Sequence, residues 1–131
     1  MYATLIEALR DALTEHRAVR LAILFGSIAR GKANDESDVD LAVVAPAIDH
    51  LGLARDVSLA VGREVQIVDL EQVGYALLCC IVRDGIVVAE HEHGAAARWR
   101  TRSLLTLETD RRWFERMRDA YLEHLATGRS P

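Results

Sequence analysis

The sequence predicts an α/β fold, in the α+β sense, with a small mixed sheet flanked by helices and a long C-terminal helix. Three observations lead there. Short apolar, β-prone runs alternate with segments whose apolar residues recur at helical spacing. Gly, Asn, Asp and Pro fall between those segments as breaks. The stretch after Gly94 then reads as one extended amphipathic helix.

Each element has its own signal. Leu5, Ile6, Leu9, Ala12 and Leu13 form a helical stripe from about Thr4 to His16. Leu21 to Phe25 is a first strand, stopped by Gly26 and Ser27, and Ile28-Ala29-Arg30 has the length of one helical turn. Gly31 opens a polar loop through Ser37, and Val39 to Ala45 is a second strand ended by Pro46. Asp49 is placed to cap a helix running to about Val61, with Gly62 as its terminator. A third strand, Glu64 to Leu70, puts Val65, Ile67 and Asp69 on one face and Gln66, Val68 and Leu70 on the other. Glu71 to Val82 reads as a buried helix closed by Arg83-Asp84-Gly85, and Ile86 to Ala89 as a short edge strand. From Ala95 to about Ala126 a long helix is expected, although Arg111 interrupts the stripe of Leu104, Leu107, Phe114, Met117, Tyr121 and Leu125. Trp99, Trp113 and Tyr121 read as packing anchors rather than a base-stacking platform, and the long helix that carries them as a candidate protein-binding surface.

Composition narrows the function classes. A chain of 131 residues, 50% of them hydrophobic, is expected to be a single domain over residues 1–131. Its core would lie at about 1–93 and a helical extension at about 95–126. No apolar run is long enough to cross a bilayer, and the first residues carry acids where a secretory signal would be basic, so the expected location is the cytoplasm. Cys79 and Cys80 are adjacent within an apolar helix, which suits small buried side chains and not a disulfide or zinc framework. His91-Glu92-His93 reads as a solvated turn. Net charge is −4, yet residues 1–94 hold 8 Lys/Arg against 15 Asp/Glu while residues 95–131 hold 8 Arg against 5 acids. An acidic body speaks against stable binding of long nucleic acid, which depends on phosphate neutralisation. The basic end is either a handle for an acidic partner or an ordinary solvated helix face.

The chemistry concentrates between Leu21 and Ala45. Asp38 and Asp40 lie one residue apart at the opening of a strand, so their side chains share a face about 6.6–6.8 Å apart. Carboxylates held that way suit hard divalent cations of the kind that clamp phosphoryl oxygens. Gly26-Ser27 ends the preceding strand, where the backbone can approach a phosphate without a β-carbon in the way. Asp69 ends the third strand, and three acids meeting at one sheet end would repel one another unless a cation joined them.

Gly26-Ser27, a spacer of ten residues, Asp38-Val39-Asp40 and the later VQIVDL together resemble the nucleotidyltransferase superfamily of DNA polymerase beta. More narrowly, the chain resembles the minimal nucleotidyltransferases, the MntA-type antitoxins paired with HEPN-domain toxins, over essentially its whole length. The resemblance implies the minimal nucleotidyltransferase fold and a transfer of AMP from ATP to a tyrosine hydroxyl of a partner HEPN ribonuclease, which silences it. It implies Mg²⁺ held by Asp38, Asp40 and Asp69, as two ions about 3.5 to 4 Å apart. Asp69 would complete the second metal site, act as general base, or both. Gly26 and Ser27 would receive the β- and γ-phosphates, with Arg30 as a phosphate cation and Lys32 as a weaker candidate. A small-molecule nucleotidyltransferase of the aminoglycoside type, and an antitoxin that only masks its partner, are the two alternatives.

Overall fold

The computed structural model describes residues 2–32 and 37–127, with the side chains of Tyr2 and Ala3 outside the description. Eight elements follow in the order α1 (Tyr2–Leu13), β1 (Leu21–Phe25), β2 (Val39–Val44), α2 (His50–Val61), β3 (Val65–Asp69), α3 (Tyr75–Asp84), β4 (Ile86–Glu90) and α4 (Ala95–Ala126). The strands form one sheet in the order β3-β2-β1-β4. β1 is antiparallel to both of its neighbours, and β2 runs parallel to β3. The sheet is therefore mixed, as expected, and β4 is an edge strand.

All five residues of β1 are buried, which explains why its sequence is continuously apolar instead of alternating. One face of the sheet, including Leu24, Leu41 and Val65, packs with Leu9 and Leu13 of α1 and Leu53 and Val57 of α2. The opposite face, with Ile23, Phe25 and Ala42, packs with Leu78 and Ile81 of α3 and Trp99 of α4. Asp49 caps α2 by accepting from the Leu51 N–H at 3.1 Å, and Gly62 ends the helix in a left-handed conformation at φ 71°. Both ends of α2 were legible in the sequence.

One expectation changes. The segment Glu71–Gly74 precedes α3 instead of opening it, because Asp69 turns the chain by accepting from the Glu71 N–H at 2.9 Å. α4 is the expected long helix, unbroken over 32 residues with Arg111 included. Its length is about 48 Å, against about 17–20 Å for the strands. Ala95, Trp99 and Ser103 are buried in the body, whereas Trp113, Met117 and Tyr121 are exposed. Trp99 is thus the packing anchor it was expected to be; Trp113 and Tyr121 are not. Phe114 still stacks on Tyr75 of α3, with ring centroids 4.6 Å apart. Among the described residues no helix is long and apolar enough to cross a membrane.

Candidate active site

Antiparallel pairing of β1 with β2 places the end of the first strand beside the start of the second. Phe25 is the register partner of Asp40, so Gly26 leaves the sheet directly alongside that carboxylate. Gly26 has φ 83°, and a β-carbon built on it would collide with Asp40 Oδ2. Only glycine meets both demands at once.

From Gly26 the chain makes a single tight turn. Arg30 N–H donates to Gly26 O at 3.2 Å, Lys32 N–H to Ser27 O at 3.0 Å and Gly31 N–H to Ile28 O at 3.0 Å. The last two bonds, with Gly31 at φ 70°, are the pattern by which a helical turn is closed through a left-handed residue. Ile28 is buried and anchors the turn to the α1–α2 side of the core. Ser27 is half-buried, and its hydroxyl has no partner among the described residues. Arg30 and Lys32 are exposed, and both charges reach Asp84 at the end of α3. The Asp84 carboxyl is held below its ordinary value, first by the hydrogen bond from Arg83 and then by the positive charges of Arg83, Arg30 and Lys32.

Asp38 and Asp40 share the face of β2 that carries Ala42, with Asp38 exposed and Asp40 half-buried. Burial raises the pKa of Asp40 above its ordinary value, and the neighbouring Asp38 charge raises it further. Like charges set side by side, with one partly withdrawn from water, form a site that a cation relieves. The donor set is all oxygen, as Mg²⁺ requires.

Asp69 does not join them. β2 and β3 are parallel, so the opening of β2 lies level with the opening of β3, and Asp69 at the end of β3 is paired with Val43. It stands three register positions beyond Asp40, about 10 Å along the strand, and on the opposite face of the sheet. Its carboxylate accepts from the Glu71 N–H and shapes the turn into α3. The expectation of three acids at one rim required β3 to end where β2 begins, and parallel pairing forbids that. Among the described residues no three His, Cys, Asp or Glu side chains converge; Asp35 and Glu36 lie outside the description.

In place of an acid, β3 offers Gln66. It is the register partner of Asp40, and its Nε2 donates to Asp38 Oδ2 at 3.2 Å. A signal for it existed in the sequence. A strand, a helix and a strand in succession favour a parallel pair, which aligns the strand openings and brings the first in-phase polar side chain of β3 next to the Asp pair.

Strand, glycine corner, helical turn and paired aspartates on the adjacent strand stand together at one end of the sheet. Residues 7–93 match the family model of the polymerase beta nucleotidyltransferase domain, and the chain belongs to that family. Among curated proteins no sequence matches. Among solved structures, a toxin–antitoxin complex with AMP-PNP contains a chain that superposes at a TM-score of 0.70 and 22% identity, covering 92% of this chain and 98% of that one. A complex of a tri-AMPylated Shewanella oneidensis HEPN toxin with an MNT antitoxin gives 0.64 and 21%, covering 92% and 95%. A third complex, MntA-HepT, gives 0.64 and 21%, covering 92% and 96%. The fold shared with these chains includes α4, which lies beyond the family match.

Proposed function

We propose that the chain is a cytoplasmic antitoxin that transfers AMP from ATP to a tyrosine hydroxyl of a partner HEPN ribonuclease and thereby silences it. The observation that carries the reading is the Asp38–Asp40 pair set against the Gly26 corner. The AMP-PNP and AMPylated-toxin complexes among the structural neighbours supply the nucleotide and the acceptor class by analogy.

In this reading Asp38 and Asp40 hold Mg²⁺ together with the triphosphate. The bound ion would offset charge on the phosphates and ease deprotonation of the acceptor hydroxyl. Ser27 donates its hydroxyl, and the backbone of its turn donates N–H groups, to the β- and γ-phosphates. Arg30 and Lys32 add positive charge at the same end of the sheet. The tyrosine oxygen bonds to the α-phosphorus, the bond to the β-phosphate oxygen breaks, and pyrophosphate leaves with the tyrosine proton lost to solvent. Gly26 keeps the backbone out of the space that Asp40 occupies, so carboxylate and phosphate cradle remain adjacent.

The partner docks on the outer half of α4. Trp113 follows Ala95 by 18 residues, five full turns, so Trp113, Met117, Tyr121 and Leu125 continue the face that Ala95, Trp99 and Ser103 bury. That face runs past the end of the core and is left bare. The test is incorporation of labelled AMP into the cognate HEPN protein with Mg²⁺ and ATP, measured for wild type, Asp38→Asn and Asp40→Asn. Loss of more than about a hundredfold in each variant is expected, the scale on which removing one electrostatic partner of a transition state acts. Full neutralisation of the toxin by the double variant would instead establish masking by binding alone.

A further inference from the structure

Three contacts tie the entrance of β2 to β3. Arg63 Nη1 donates to Ser37 O at 3.1 Å, Val39 N–H donates to Glu64 O at 2.8 Å, and Gln66 Nε2 donates to Asp38 Oδ2 at 3.2 Å. The first two hold the main chain immediately before and after Asp38. What they leave free is the Asp38 side chain, which is exposed and would otherwise rotate among its staggered positions. Gln66 removes that freedom by taking one carboxylate oxygen.

We propose that Gln66 is a positioning residue for the metal-binding carboxylate of Asp38, and this rests on the nucleotidyl-transfer reading above. A carboxylate has about four lone-pair sites, and one donated hydrogen bond leaves the others for a cation. Gln66 also stands at the β3 position that faces the Asp pair, where a third acid was expected. A carboxylate there would add a third negative charge to a pair that already raises the pKa of one member. A neutral amide adds none and contributes a donor. Among the described residues the site therefore offers its cation two charges, and its affinity depends correspondingly more on how well Asp38 is aimed. Because Gln66 is exposed, its contact has little to offer the stability of the fold, which separates positioning from packing.

The full-length chain is titrated with Mn²⁺, followed by the loss of the free-ion electron paramagnetic resonance signal, and melted in parallel without metal. Gln66→Met keeps the length and bulk of the side chain but has no N–H; Gln66→Ala removes it altogether; Asp38→Asn is the control. Both Gln66 variants are expected to bind Mn²⁺ about tenfold more weakly, the usual scale for losing a partner of a ligand, with melting temperatures equal to wild type. Wild-type Mn²⁺ affinity in Gln66→Met overturns the proposal, and so does a melting temperature that falls in step with affinity. If wild type binds Mn²⁺ no better than Asp38→Asn, the nucleotidyl-transfer reading itself fails and the role of Gln66 with it.

Discussion

Gly26 and Asp40 occupy space that neither could share with a β-carbon on the glycine. Strand pairing sets Phe25 opposite Asp40, and the next residue turns out of the sheet at φ 83°, against the carboxylate. The glycine corner and the acid are in this way one structural unit, although thirteen residues separate them in the chain.

Gly26→Ala tests that unit. The left-handed conformation costs a residue with a β-carbon roughly 1–2 kcal/mol, and the added methyl must also displace the Asp40 side chain. A drop in chemical-denaturation stability of at least that size is expected, together with loss of the proposed AMP transfer. Stability and activity both at wild-type level would mean that the corner is not as tight as the geometry requires.

Asp40 makes the stability of the metal-free protein depend on pH. Its pKa in the fold is raised above the ordinary value of 3.8, so the folded state holds the proton more tightly than the unfolded chain does. Ionisation then costs stability, and the cost develops as pH rises from about 3.8 through the raised value. Asp40→Asn carries no such cost, so without divalent cations it should melt above wild type at pH 7. The gap should close as pH falls toward 3.8. On the proposed Mg²⁺ role of Asp40, added Mg²⁺ should reverse the order, because wild type then gains more from binding the ion than Asp40→Asn does. A scan of melting temperature against pH, with and without Mg²⁺, decides the matter.

Local chemistry made most of the fold legible. The limits of β1, the Asp49 cap, the Gly62 stop and the glycine corner each depend on residues within a few positions of one another. Strand direction does not. Whether Asp69 or Gln66 meets Asp38 is decided by the parallel pairing of β2 with β3, through a helix crossover, and alternation within β3 alone leaves both faces open. Which part of α4 packs and which part stays bare was obscure for a related reason. Helical periodicity marks Trp113 and Tyr121 as an apolar face, but nothing local says that the core ends before reaching them.

Asp69 yields a prediction that distinguishes the two ends of β3. Its carboxylate accepts one backbone hydrogen bond, from Glu71. Asp69→Ala should therefore cost about 1 kcal/mol in stability and leave the proposed AMP transfer and the Mn²⁺ affinity at wild-type levels. A loss of transfer comparable to that of Asp38→Asn would return Asp69 to the catalytic centre and contradict the parallel register.

The two tryptophans of α4 occupy the same helix face, yet they should respond to truncation in opposite ways. Trp99 is 6% exposed and seated among Ile81, Leu78 and Ala95, whereas Trp113 is 59% exposed. Trp99→Ala opens a cavity in the core and should cost about 3–5 kcal/mol of folding stability. Trp113→Ala removes little that the isolated chain buries and should stay within about 0.5 kcal/mol of wild type. Its effect should appear with the proposed HEPN partner, where losing a buried tryptophan anchor typically costs about 2 kcal/mol or more of binding. Denaturation of the isolated chain and calorimetric titration with the partner measure the two quantities separately. A Trp113→Ala variant that binds the partner as wild type does would move the docking surface away from the outer half of α4.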